Sequence, residues 1–99
     1  MIVIDNFIGG EFHKPKSGQY LDNVNPAVGE VFAKIANSST KDLELAVSAA
    51  SGAFHEWSRK TLAQRSKILH RLADLIDENL EALARAESQD NGKPVALAG

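Results

Sequence analysis

The residue types that do most enzyme chemistry are present in this chain, but not in working arrangements. Its three histidines, His13, His55 and His70, fall in separate segments. None has a partner at the i, i+4 spacing that lets two imidazoles share a metal ion, so they read as surface or packing residues. The carboxylates Asp74, Asp77, Glu78 and Glu81 crowd one stretch. General acid–base work would need two of them on one concave surface with displaced pKa values. A solvated helix face accounts for them, with Glu81 and Arg85 in the favourable i, i+4 order. Gly9-Gly10 is followed by no lysine–hydroxyl pair and no glycine fingerprint, so it is not a phosphate cradle. There is no cysteine, which removes a thiolate nucleophile, a thiolate metal site and a disulfide from these residues.

Asp90 stands apart. It closes a helical pattern beside Asn91-Gly92, where the last backbone carbonyls have no intrahelical partners. A carboxylate beside free carbonyl oxygens is a hard-oxygen environment, suited to a monovalent or divalent cation. The bland alternative is a turn-forming aspartate.

The elements that would position Asp90 can be read locally. From Leu62 the apolar residues Leu62, Ile68, Leu69, Leu72, Leu75, Ile76, Leu80, Leu83 and Ala84 keep the spacing of one helical face. The spacing predicts a helix over about 61–88, started by a Thr61/Gln64 capping box and stopped by Asn91-Gly92 and Pro94. Such a helix would be roughly 42 Å long at ~1.5 Å per residue. A domain of this size is only about 33 Å across. Either the helix bends, or the chain is part of something larger, and the second reading is preferred.

Upstream, a first amphipathic helix is predicted over about 40–57. It opens with Ser39 and Asp42 as an S-x-x-D cap and presents Leu43, Ala46, Val47, Ala50, Ala53, Phe54 and Trp57. Phe32, Phe54 and Trp57 are expected in a core. Two hairpins precede it. One, about 6–13, turns at Gly9-Gly10, which supply positive φ angles. The other, about 20–36, turns at Asn25-Pro26-Ala27-Val28-Gly29. After Pro94, Val95 to Ala98 looks like the opening of a further helix.

The 99 residues make about one domain. A net charge of -2 and scattered lysines and arginines exclude a basic nucleic-acid footprint. No apolar run reaches the roughly 18 residues of a membrane span. Met1 to Asn6 lacks the features of a secretory signal, so a cytoplasmic location is expected.

Several local patterns together resemble the opening of an aldehyde dehydrogenase. They are Asn6-Phe7-Ile8 with Gly10-Glu11-Phe12, Asn25-Pro26-Ala27 with Gly29-Glu30-Val31, and Ala53-Phe54 with Trp57. Arg65 with Ile68-Leu69, Leu72 to Ile76, and Glu87 to Pro94 continue the likeness in the family's order over nearly the whole chain. Tyr20-Leu21-Asp22, Ala86-Glu87-Ser88 and Ala96-Leu97-Ala98 are most similar to the branch that oxidises muconic semialdehydes, including 2-aminomuconic and hydroxymuconic semialdehyde.

The resemblance implies an α/β fold in which residues 1–99 form the N-terminal portion of the Rossmann-type NAD(P)-binding domain. The full-length enzyme would oxidise an aldehyde to an acid with NAD or NADP, through a cysteine thiohemiacetal. It would be a homodimer or homotetramer. None of the family's catalytic or nucleotide-binding residues matches a position here, so the 99 residues alone are expected to be inactive. One site does carry over. The resemblance implies a structural K⁺ or Na⁺ held by the backbone carbonyls of Asn23 and Val24 and by Asp90. The rival reading is a free-standing helical interaction module without catalysis, presenting its amphipathic faces to a partner.

Overall fold

A computed structural model describes residues 1–99. Five strands come first: β1 (Ile2–Ile4), β2 (Asn6–Ile8), β3 (Glu11–His13), β4 (Tyr20–Asn25) and β5 (Glu30–Ala36). Four helices follow: α1 (Thr40–Arg59), α2 (Leu62–Glu78), α3 (Leu80–Asn91) and α4 (Val95–Ala98). This is the mixed α/β arrangement expected, with both hairpins in place. The residues divide into two units, one of Met1–Val24 with Val31–Ser58 and one of Asn25–Glu30 with Arg59–Gly99.

In the first unit, β2 and β3 pair antiparallel around Gly9 and Gly10, whose φ angles of 62° and 83° only glycine adopts at no steric cost. Phe7 lies opposite Phe12 with ring centroids 5.0 Å apart, edge to face. A three-stranded sheet runs in the order β1-β5-β4. β4 and β5 are joined by a tight turn and so must pair antiparallel. β1 runs parallel to β5, with Ile2 opposite Ala33 and Ile4 opposite Ile35. The β-branched run Ile2-Val3-Ile4 suits this strand, which adds to the two expected hairpins. Ala33, at 0% exposure, is the most buried residue of the sheet.

In the second unit, Thr61 opens α2 with a complete capping box. Its side chain accepts from the Gln64 N–H at 3.1 Å, and Gln64 Oε1 accepts from the Thr61 N–H at 2.9 Å. The helix expected without interruption over 61–88 is instead two helices, meeting at Asn79. Asn79 has φ -112° and ψ 17°. Its N–H is shared between Leu75 O (3.1 Å) and Ile76 O (3.2 Å), and its side-chain Nδ2 also donates to Leu75 O at 2.8 Å. An asparagine that spends its amide on a carbonyl of the preceding turn competes with the helical ladder, and here it ends one helix and starts the next. The helical run is therefore interrupted at Asn79. α4 folds back against α3, where Ala84 is 4% exposed.

Neither unit encloses a large side chain, and the buried apolar residues are Ala33 and Ala84. Phe54 is 66% exposed, so it is not the core aromatic expected, while Phe32 and Trp57 are half-buried. Leu43, Val47, Ile68, Leu69, Leu72 and Ile76 keep their helical spacing yet face outward. The amphipathic pattern is realised, but nothing in either unit covers its apolar side.

Candidate cation site at the helix stop

α3 ends as its sequence dictates. Gly92 takes the left-handed conformation (φ 78°, ψ 3°), and its N–H closes the last turn on Ser88 O at 2.8 Å. Asn91 straps the same end from both faces of its amide. Nδ2 donates to Glu87 Oε1 at 2.7 Å, and Oδ1 accepts from the Lys93 N–H at 2.8 Å. Pro94 then starts α4 from the capping position, with Val95 to Ala98 helical as expected.

The turn after β4 belongs to the same unit. Asn25 O accepts from the Gly29 N–H at 2.8 Å and the Val28 N–H at 3.3 Å, while Asn25 Oδ1 accepts from the Ala27 N–H at 3.0 Å. The Pro26 ring of this turn lies directly over Gly92. A Cβ added to Gly92 would meet Pro26 Cγ at 3.1 Å. Gly92 is thus required twice, once by its φ and once by the proline above it.

Asp90 sits on the exposed side of α3, two residues before this stop. Asn23, half-buried, and Val24, exposed, are adjacent in β4, in the strand unit. No cluster of three His, Cys, Asp or Glu side chains is present. The donors of the expected set are one carboxylate and backbone carbonyls, a chemistry that suits a weakly held, hard monovalent ion better than a transition metal. His13, His55 and His70 are all exposed.

The strand unit holds a polar centre that sequence reasoning caught only in part. Asp42 is 3% exposed. Its Oδ2 accepts from the Ser39 N–H (2.8 Å) and Ser39 Oγ (3.2 Å), and both oxygens accept from the Lys16 N–H (3.1 and 3.3 Å). These bonds, the Ser39 backbone first, hold its carboxyl below the usual carboxylate range, and burial opposes them only partly. The S-x-x-D pattern pointed to the helix start. The Lys16 amide, 26 positions away, had no local signal. Nearby, the Tyr20 hydroxyl donates to Asp5 Oδ1 at 2.5 Å, a bond that raises the phenol pKa, with burial and the Asp5 charge adding to it. These groups brace strands and loops; Asp42 also borders a shallow groove with Asn6, Ser38 and Leu43. Shallow grooves between the β2–β3 hairpin and α1 are lined mainly by Phe7, Ile8, Gly9, Ala46, Ala49 and Ala53.

The aldehyde dehydrogenase family profile matches residues 12–99. An aldehyde dehydrogenase of Vibrio cholerae is 52% identical over 93 residues, covering 94% of this chain and 18% of that protein. The 2-aminomuconic semialdehyde dehydrogenase of Bos taurus is 46% identical over 98 residues, covering 99% of this chain and 20% of its own length. Among solved structures, a point mutant of betaine aldehyde dehydrogenase from Staphylococcus aureus, in complex with NAD⁺, superposes with a TM-score of 0.89 at 34% identity. That match covers 95% of this chain and 19% of the other. The chain therefore spans about a fifth of the length of the relatives it matches. The profile match extends over most of the chain, and the chain belongs to the aldehyde dehydrogenase family.

Proposed function

We propose that residues 1–99 are the N-terminal portion of the NAD(P)-binding domain of an aldehyde dehydrogenase, and that the whole protein oxidises an aldehyde to a carboxylic acid. The observation that carries this reading is a family match over residues 12–99, joined to 52% identity with an aldehyde dehydrogenase over 93 residues. The matched residues include the β4–β5 hairpin and its turn as well as the helices, which favours the enzyme over a free-standing helical interaction module. A substrate of the muconic semialdehyde class is supported by 46% identity over 98 residues to an enzyme named for 2-aminomuconic semialdehyde.

The residues of this chain do not fit a dinucleotide. They include no glycine-rich phosphate segment and no cysteine, so no catalytic step is assigned to them. Their role is architectural: strands and amphipathic helices whose apolar sides await the rest of the domain. Within that role, Asn23 and Val24 carbonyls with Asp90 would hold K⁺ or Na⁺. The hard-oxygen character of the helix stop supports this. The whole protein is proposed to be cytoplasmic and a homodimer or homotetramer; no helix here is long and apolar enough to cross a membrane.

The test is reduction of NAD⁺ or NADP⁺ by the full-length protein, followed by absorbance against a panel of aldehydes that includes a muconic semialdehyde. Turnover is expected, fastest with the semialdehyde. Absence of turnover with every aldehyde, despite bound nucleotide, would contradict the enzyme reading. In the same protein, Asp90→Ala should abolish the rise in melting temperature with K⁺ or Na⁺, and an unchanged rise would contradict the ion site.

A further inference from the structure

The helix stop contains a bond-forming pair that its architectural role does not use. Of the six asparagines, Asn6, Asn23, Asn25, Asn37 and Asn79 precede Phe, Val, Pro, Ser and Leu, and only Asn91 precedes glycine. A backbone nitrogen followed by no Cβ is an uncrowded nucleophile toward the preceding side-chain amide. Asn91 is also exposed to water, the second reactant. We infer that Asn91 is a site of spontaneous deamidation, gated by the opening of the last turn of α3.

The chemistry balances without any cofactor. A base from solvent takes the Gly92 amide proton, and the Gly92 nitrogen attacks Asn91 Cγ. The bond from Cγ to Nδ2 breaks, and Nδ2 leaves as ammonia after taking a proton. Water then opens the five-membered imide at one carbonyl or the other, leaving aspartate or isoaspartate. No atom is oxidised or reduced.

The fold controls each reacting atom. The nucleophile is occupied, because the Gly92 N–H donates to Ser88 O at 2.8 Å. The leaving group is held, because Nδ2 donates to Glu87 Oε1 at 2.7 Å. The acceptor oxygen is polarised, because Oδ1 accepts from the Lys93 N–H at 2.8 Å. Fraying of the last turn frees the first two atoms. The Lys93 contact is local, spans two residues and does not depend on the helix, so it can persist on the oxygen that takes up the developing charge. The closed stop therefore protects Asn91, and an open one exposes a primed site.

The product would not fit the place it came from. An aspartate at 91 sets a carboxylate against Glu87 and beside Asp90, at the helix end whose free carbonyls already repel anions. An isoaspartate adds a backbone atom between residue 91 and Gly92, and so shifts the one residue that fits beneath Pro26. Each event makes the closed stop harder to regain.

The experiment incubates the full-length protein in mildly alkaline buffer, folded and in denaturant, and maps deamidation by peptide mass spectrometry with fragmentation that separates aspartate from isoaspartate. Modification is expected at Asn91 ahead of the other five asparagines of residues 1–99, and faster in denaturant. In the folded protein, Glu87→Ala should accelerate it by roughly threefold to tenfold, the loss of one modest hydrogen bond. Glu87→Gln, whose Oε1 can still accept from Nδ2, should restore the slow rate. Glu81→Ala removes a comparable exposed contact from the same helix and should leave the rate unchanged. Equal rates folded and denatured, equal modification at the other asparagines of residues 1–99, or the same rate in wild type and Glu87→Ala would each overturn the inference. So would equal acceleration by Glu81→Ala, or failure of Glu87→Gln to restore protection.

Discussion

The two units hold themselves together by different means. In the strand unit the fixed points are polar bonds between distant parts of the chain: Lys16 to Asp42, Tyr20 to Asp5, Ser38 to Asn6 at 2.7 Å, and Ser17 Oγ to Asn37 O at 3.1 Å. In the helical unit the bonds at Thr61–Gln64, Asn79–Leu75, Arg85–Glu81 and Asn91–Glu87 span three or four positions. The first kind fixes topology, because each bond closes a loop. The second fixes where helices begin, break and stop, and says little about what they pack on. Both kinds decide geometry, yet neither supplies the apolar burial that dominates folding free energy. Hydrogen bonds net only about 0.5–1.5 kcal/mol each, so both units need cover from outside.

The contrast can be broken most severely at Asp42. In the full-length protein, Asp42→Ala should release the Lys16 loop and the start of α1 together, the largest loss among these changes. It would be read as faster amide exchange at Lys16 and Ser39. The pH dependence follows from the depressed carboxyl. Its contribution is in place above the ordinary aspartate value near ~3.9 and is lost as pH falls through the lower folded value. Asp42→Asn should flatten that acid limb. An identical acid limb in wild type and Asp42→Asn would show that Asp42 is not the hub described.

The next effect separates strain from steric contact. Gly18 (φ 69°) has open space where a Cβ would stand, whereas Gly92 (φ 78°) has Pro26. Gly18→Ala should cost about 1–2 kcal/mol, the left-handed penalty alone. Gly92→Ala should cost roughly 2–4 kcal/mol in the full-length protein. Pro26→Ala should return part of the difference, and denaturant unfolding checks all three. The smallest effect is Thr61→Ala, about 1 kcal/mol from the lost cap, measured in the same way.

The same contrast explains what could be read from residues alone. The Gly9-Gly10 and Asn25 to Gly29 turns, the Thr61 capping box and the Gly92 stop were legible because each is encoded within five residues. The parallel pairing of β1 was not, since its partner β5 lies some 30 positions on and a three-residue strand leaves no periodicity. The break at Asn79 was hidden by an apolar pattern that runs through it without a change of phase. Asp42 was recognised as a cap, but its burial depends on Lys16, which carries no signal of its own. Of the proposed ion ligands, Asp90 could be argued from its place at the helix stop. Asn23 and Val24 would act through backbone carbonyls, which no side-chain pattern marks, and they entered only through the family resemblance.

The most direct measurement of the central claim, that these residues form part of a larger enzyme domain rather than a self-standing module, is thermal unfolding of residues 1–99 expressed alone. A broad, weakly cooperative or aggregating transition is expected, because Phe54, Leu69, Leu72 and their neighbours stay exposed. A sharp, reversible two-state melt in a monomer would contradict it.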